Sequence, residues 1–271
     1  MIGTLIGIFI TTAGIVVGAD SALWDFDKPA RIPATKICEA NSQKVATIQG
    51  WYGEQLYLNS HFLKTCEKFH RSSEQMSIQA RVDELTKELA AQYKEHVGQS
   101  PPANFKPPLH SLNSNHVIYV SISGYERGIP RTMVKEILWN HTSKGEWELV
   151  TTRSLLSFNG CGAKFHGHDK VANFLLQRTL SPFSSRDKYK KPEVVAGRHA
   201  NLMGETNDCP AASFTIEEAK ALYKTAMRAS MTYGPKIDSA VREGIIGGTL
   251  RLFIISPNGT NKMETVNPTD Y

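Results

Sequence analysis

The residue with the clearest route to covalent chemistry stands almost at the start of the chain. Thr4 follows Gly3, and a threonine hydroxyl becomes a competent nucleophile once a base takes its proton. A free α-amino group on the same residue meets that need: its pKa of about 7.7–8.0 lies near working pH, and it reaches its own Oγ directly or through one water. The chemistry requires that the Gly3–Thr4 bond be cut. A glycine at that place suits self-cleavage, because the absence of a Cβ permits a strained close approach. Taken alone, the dipeptide also reads as an ordinary strand residue after a turn.

Other groups offer less. His166-Gly-His168-Asp169, with His199 further on, matches no firm zinc spacing and reads as a polar lead-in to a helix, so no metal and no cofactor is expected. Cys38, Cys66, Cys161 and Cys209 are widely spaced without a CxxC pair. That usage fits a reducing cytosol and argues against zinc or dithiol redox chemistry. The sequons Asn140-His-Thr142 and Asn258-Gly-Thr260 carry meaning only on export.

The chain of 271 residues is long enough for one well-buried domain. Its 41% hydrophobic and 21% charged residues exclude disorder. The formal net charge of +5 is spread thinly, and the basic run Arg186 to Lys191 contains Tyr189 as its only aromatic residue. Nucleic-acid binding is therefore not expected, and the run reads as a solvated loop.

Residues 1–19 hold no charge. They could be a signal peptide or a marginal membrane span. Against this, no Lys or Arg precedes the run, Thr11-Thr12-Ala13-Gly14 interrupts it, and β-branched residues dominate both halves. Two buried strands joined by a tight turn are the expected structure, and no membrane attachment.

Strands are expected at 4–10 and 15–22, then at 35–40 and 44–49, with Gly50 closing the second pair. Two helices follow, 51–70 and 77–97; in the latter Ile78, Val82, Leu85, Leu89 and Tyr93 recur at helical spacing. Strand-like runs at 116–125, 131–140 and 147–156 lead to Gly160-Cys161-Gly162 and a helix at 170–177. Residues 178–212 read as a surface insertion. Thr215 and Glu218 have the spacing of a capping box for a helix ending near Gly234, and Gly247-Gly248 introduces a last strand at 249–255.

The run Thr4-Leu-Ile-Gly-Ile-Phe-Ile, continued by Gly14-Ile-Val-Val-Gly-Ala-Asp20-Ser21, resembles the opening hairpin of proteasome β subunits and their bacterial two-component relatives. Thr4 to Asp20 and Asp20 to Lys36 are both 16 positions, and Lys36 to Gly50 is 14, the spacing of that family of N-terminal-nucleophile hydrolases. The likeness covers about 4–177 and 213–262.

The resemblance implies a threonine-type peptidase working through an acyl-enzyme. Thr4 would be nucleophile and, through its amine, general base. Lys36 would place positive charge beside Thr4 Oγ, Asp20 would pair with and orient the lysine, and the Gly50 amide would donate to the oxyanion. Cys161 stands where the family has a serine, Glu243 where it has a second acid, and Ile246 replaces a serine before the Gly-Gly pair. The same correspondence lines the substrate pocket with Leu23, Ala34, Cys38, Ile48 and Tyr52, which are uncharged and imply a preference for apolar side chains.

The implied fold is α+β, a four-layer αββα sandwich with two antiparallel sheets between helix layers, forming a single domain over 4–271 after a short pro-segment at 1–3. The implied partners are unfolded polypeptide substrate, copies of the same chain in a ring, and an ATPase or other activator, in the cytoplasm. Two alternatives stand beside this reading. One is a non-catalytic ring or binding subunit of the same fold; the other is an exported protein that loses residues 1–19.

Overall fold

A computed structural model describes residues 5–24, 31–41, 44–50, 62–68, 76–98, 101, 115–167, 170–180, 211, 214–237, 246–258 and 261–270. The β-branched opening forms a hairpin of strands β1 (Leu5–Thr11) and β2 (Gly14–Asp20), paired Ile6 to Ala19 through Thr11 to Gly14. The Thr11 hydroxyl oxygen closes the turn by accepting from the amides of Ala13 and Gly14 at 3.1 and 3.2 Å. Every residue of both strands is buried, as expected for central strands covered on both faces. The uncharged opening thus forms the β1–β2 hairpin within the protein's first sheet.

After β2 come the short pair β3 (Ala22–Trp24) and β4 (Arg31–Pro33), then β5 (Ile37–Asn41), β6 (Lys44–Gly50) and helix α1 (62–68). Helix α2 (Ile78–Val97) precedes β7 (Asn115–Glu126), β8 (Ile129–His141), β9 (Trp147–Thr151), β10 (Leu155–Asn159) and β11 (Gly162–Gly167). Helices α3 (Lys170–Leu180) and α4 (Ile216–Ile237) lead to β12 (Leu250–Ile255) and β13 (Asn261–Val266).

The strands make two large antiparallel sheets, one ordered β11-β1-β2-β12-β13 and the other β10-β8-β7-β6-β5 with β9 also on β8. Helices α3 and α4 pack on the first and on each other, and α2 packs on β7, β8 and β9. Each sheet has its own apolar cluster. Phe9, Phe165, Tyr223 and Met227 lie in the first; Val82, Leu85, Leu89, Tyr93, Ile118 and Trp139 lie in the second.

This arrangement corrects the expected fold class. Among the described residues there are two large antiparallel sheets, the two-stranded β3–β4 pair and four α-helices, of which α1 spans only 62–68. They do not show a four-layer αββα sandwich. The expectation came from the order of strands and helices and from the resemblance; of the helix expected at 51–70, residues 51–61, 69 and 70 lie outside the described residues. No described helix is long and apolar enough to cross a membrane.

Other elements differ in detail. The run 147–156 is two strands, because β9 pairs with the Ile137–His141 end of β8 and β10 with the Arg131–Val134 end. Thr152 breaks the line between them, its hydroxyl accepting from the Glu136 amide at 2.9 Å. Helix α4 continues past Gly234 to Ile237 with Pro235 inside it. The capping box is present: the Glu218 amide donates to Thr215 Oγ at 3.2 Å and the Thr215 amide to Glu218 Oε2 at 2.8 Å. Of the expected insertion, residues 181–210 lie outside the described residues.

Candidate functional site

The first sheet delivers Asp20 at the end of β2, cross-strand from Leu250 of β12. The second sheet's side delivers Lys36, immediately before β5. Lys36 Nζ donates to Asp20 Oδ1 at 2.9 Å, and the two side chains are 4% and 0% exposed. The same oxygen accepts the Leu5 amide at 2.8 Å, and Oδ2 accepts the Gly247 amide at 3.4 Å. One carboxylate therefore gathers three donors from β1, from the residue before β5 and from the approach to β12.

The surrounding backbone is tied into the same knot. The Ala22 amide donates to the Gly247 carbonyl and the Ala34 amide to the Ser21 carbonyl, each at 2.9 Å. Gly248 adopts a φ of +74°, and a Cβ there would stand 2.7 Å from Ser21 Oγ, so the second glycine of the pair meets both a left-handed backbone and a close approach. On the other side of Leu5, the Tyr223 hydroxyl of α4 donates to its carbonyl at 2.8 Å.

Burial sets the electrostatics. Desolvation pushes the Asp20 carboxyl above its ordinary range and the Lys36 ammonium below its own, while mutual attraction and the amide donors oppose each shift. The result is a water-excluded pair in which each partner depends on the other. Such a pair is costly to break, because removing one charge strands the other.

At the same end of the molecule the two sheets meet through His166 and Tyr119. His166 on β11 lies opposite Ile6 of β1, and Tyr119 on β7 opposite Gln49 of β6. Their rings stand 4.7 Å apart and the Tyr119 hydroxyl is 3.4 Å from His166 Nε2. Desolvation, with a smaller contribution from Lys164, lowers the His166 pKa to about 3, so the ring is neutral at ordinary pH. His166 stood out in the sequence only as part of a weak metal pattern; nothing in the chain order pointed to Tyr119.

The remaining expected site residues are placed as follows, where the structure describes them. Thr4, Tyr52 and Glu243 lie outside the described residues, as do His168, Asp169 and His199. Gly50 closes β6 opposite Ile118, at the end of the strand pair where β5 begins. Leu23 lies on β3 and Ile48 on β6; Ala34 is buried. Cys38, assigned to the pocket, is bonded to Cys66. Cys161 is buried and also disulfide-bonded. Ile246 is buried in the first apolar cluster.

No protein-family model matches the sequence, and no curated protein does. Solved structures do match. The Anbu complex from Pseudomonas aeruginosa, described as a helical assembly, superposes with a TM-score of 0.56 at 11% identity, over 98% of this chain and 88% of that one. Anbu, the ancestral beta-subunit, from Yersinia bercovieri gives 0.53 at 9% identity over the same shares. The likeness to Anbu is one of fold. It corrects the resemblance to proteasome β subunits read from the sequence: Anbu is proteasome-like but a separate family. The opening hairpin and the Asp20 and Lys36 spacing belong to the framework of the fold, and a framework does not tell one family from another.

Proposed function

We propose that this chain is a self-assembling subunit of the Anbu-like, proteasome-like kind. The supporting observation is the breadth of the fold likeness, which takes in 98% of this chain and 88% of an Anbu subunit whose complex is a helical assembly. Light scattering on the purified full chain, with electron microscopy of the same sample, tests this reading. Discrete rings or open helical stacks are the expected result; a monomer at every concentration overturns it.

A second reading is favoured by a different observation, the buried Asp20–Lys36 pair bonded to the amide of the residue after Thr4. In this reading the chain is an N-terminal threonine amide hydrolase. Cleavage of Gly3–Thr4 frees the amine, which takes the hydroxyl proton. Lys36 stabilises the developing alkoxide by charge, and Asp20 holds the lysine in place. Oγ attacks the peptide carbonyl to form an acyl-enzyme, which water hydrolyses. The polypeptide substrate, the apolar pocket preference and any activator remain parts of this proposal. Intact mass with a fluorogenic peptide panel tests it: a mature chain starting at Thr4 and turning over peptides is expected. A chain that keeps residues 1–3 and hydrolyses nothing leaves the assembling, non-catalytic subunit as the function.

A further inference from the structure

The cysteine usage suited a reducing cytosol, but the structure pairs the thiols. Cys38 on β5 is bonded to Cys66 on α1, with the Cα atoms 6.4 Å apart and 28 residues between them in sequence. Cys161 is disulfide-bonded too, and among the described residues no cysteine is free. Structural disulfides persist where the surroundings are oxidising and are rare where glutathione and thioredoxin keep thiols reduced.

The position of the Cys38–Cys66 bond matters more than its presence. β5 is five residues long and, among the described residues, lies at the edge of its sheet with only β6 beside it. Its ladder to β6 is irregular between Glu39 and Asn41. Lys36 leads directly into this strand and must reach a carboxylate at the end of β2, in the other sheet. A short edge strand with an irregular ladder is a weak mount for a buried lysine. Cys38, two residues on, ties the strand to α1; Cys66 belongs to the apolar cluster beneath α2, and the partly buried Cys38 packs against that cluster.

We propose that the Cys38–Cys66 disulfide is a positioning staple for Lys36, and that this protein completes its site in an oxidising compartment. The bond forms by thiol–disulfide exchange. The two thiols give up two protons and two electrons to a disulfide oxidant, which leaves as a dithiol. The sequon asparagines Asn140 and Asn258 are exposed, so in such a compartment a glycosylating enzyme would find both accessible. The inference rests on the reading of Asp20–Lys36 as the charge pair of the site, and the experiment separates the two.

The full chain is prepared oxidised, then reduced under native conditions with a phosphine and reoxidised, alongside the variants C38S/C66S and C38A/C66V. A maleimide mass label on the unfolded, unreduced chain should find no free thiol, and all four cysteines after reduction. Loss of the bond should lower the melting temperature by roughly 6–12 °C. It should also speed amide exchange from Ile37 to Ala40 at least tenfold and lower peptide kcat by a similar factor, each restored on reoxidation. Faster exchange in a chain that hydrolyses nothing in either state upholds the staple and removes the hydrolase reading. Unchanged β5 exchange on reduction overturns the staple, as does a wild-type chain whose Cys38 and Cys66 label as free thiols after maturation in an oxidising compartment. Should either variant fail to fold, the reversible reduction of the wild type carries the same comparison.

Discussion

Lys36 Nζ lies 2.9 Å from Asp20 Oδ1 with neither side chain open to solvent. Removing the ammonium alone leaves a buried carboxylate whose remaining donors are the Leu5 and Gly247 amides. Lys36→Ala should therefore cost about 3–5 kcal/mol of folding stability, besides any loss of activity. Asp20→Asn with Lys36→Met removes both charges at similar volume and should recover most of that cost while restoring no activity. Urea denaturation of the three proteins measures it. A Lys36→Ala chain as stable as wild type would mean that the pair is not closed to water.

Leu5 is held by both of its backbone polar groups, the amide on Asp20 and the carbonyl on the Tyr223 hydroxyl. If the residue before it is the nucleophile, Thr4→Ala should fold, keep residues 1–3 and show no peptidase activity, while Thr4→Ser retains a measurable rate. Intact mass and a fluorogenic peptide assay read both outcomes. Full activity in Thr4→Ala removes the hydrolase reading and leaves the assembly reading untouched.

How far these arrangements were legible in the sequence depends on the range of the interaction. The β1–β2 hairpin, the Ile78–Val97 helix and the Thr215–Glu218 cap are local, and periodicity or spacing within a few residues announced them. Asp20 and Lys36 were legible through a spacing, and the structure brings them together. β11 was missed because Gly-Ala-Lys-Phe-His-Gly alternates over only four residues between glycines and has no β-branched residue, and its strand character comes from pairing with β1. β3, β4 and β13 are short pieces whose partners complete them. Cys38 and Cys66 gave no pairing signal because widely spaced cysteines carry none. The Tyr119–His166 contact joins residues 47 apart on different sheets, a distance at which no local pattern speaks. The layer count failed because it was carried over from the resemblance and from the order of elements, neither of which fixes how helices and sheets stack.

The glycines of the first hairpin make a packing prediction. Gly7 and Gly18 face each other across β1 and β2, and the Tyr223 ring lies on both. A Cβ at Gly18 would stand 2.7 Å from Tyr223 Cε2, and one at Gly7 would overlap the Tyr223 and Phe165 rings. Gly18→Ala should cost about 1–3 kcal/mol, and Gly7→Ala should be the worse of the two. Tyr223→Phe keeps the ring but removes the bond to the Leu5 carbonyl, costing about 1–3 kcal/mol for a buried acceptor left unpaired. Thermal melts rank the three variants; an unperturbed Gly7→Ala protein would contradict the packing of α4 on this sheet.

The last prediction concerns acid. His166 has its pKa lowered from 6.5 to about 3, first by desolvation and then by Lys164. A folded-state pKa below the unfolded one means that the unfolded chain binds more protons between these values. Stability from this residue is then fully present above pH 6.5 and is lost as pH falls toward 3. The slope approaches about 1.4 kcal/mol per pH unit and the total about 4–5 kcal/mol. Protonation also puts a positive charge in this desolvated place, near Lys164, so the contact between the two sheets should loosen at the end where Asp20 and Lys36 lie. His166→Gln keeps a polar group facing Tyr119 but does not titrate, so its stability should fall less steeply over pH 6 to 4 than that of the wild type. Denaturation midpoints across that range, with the imidazole followed by NMR, decide the matter. An imidazole that titrates near 6.5 in the folded chain would show that His166 is not sealed between the sheets, and the two proteins would then lose stability in parallel.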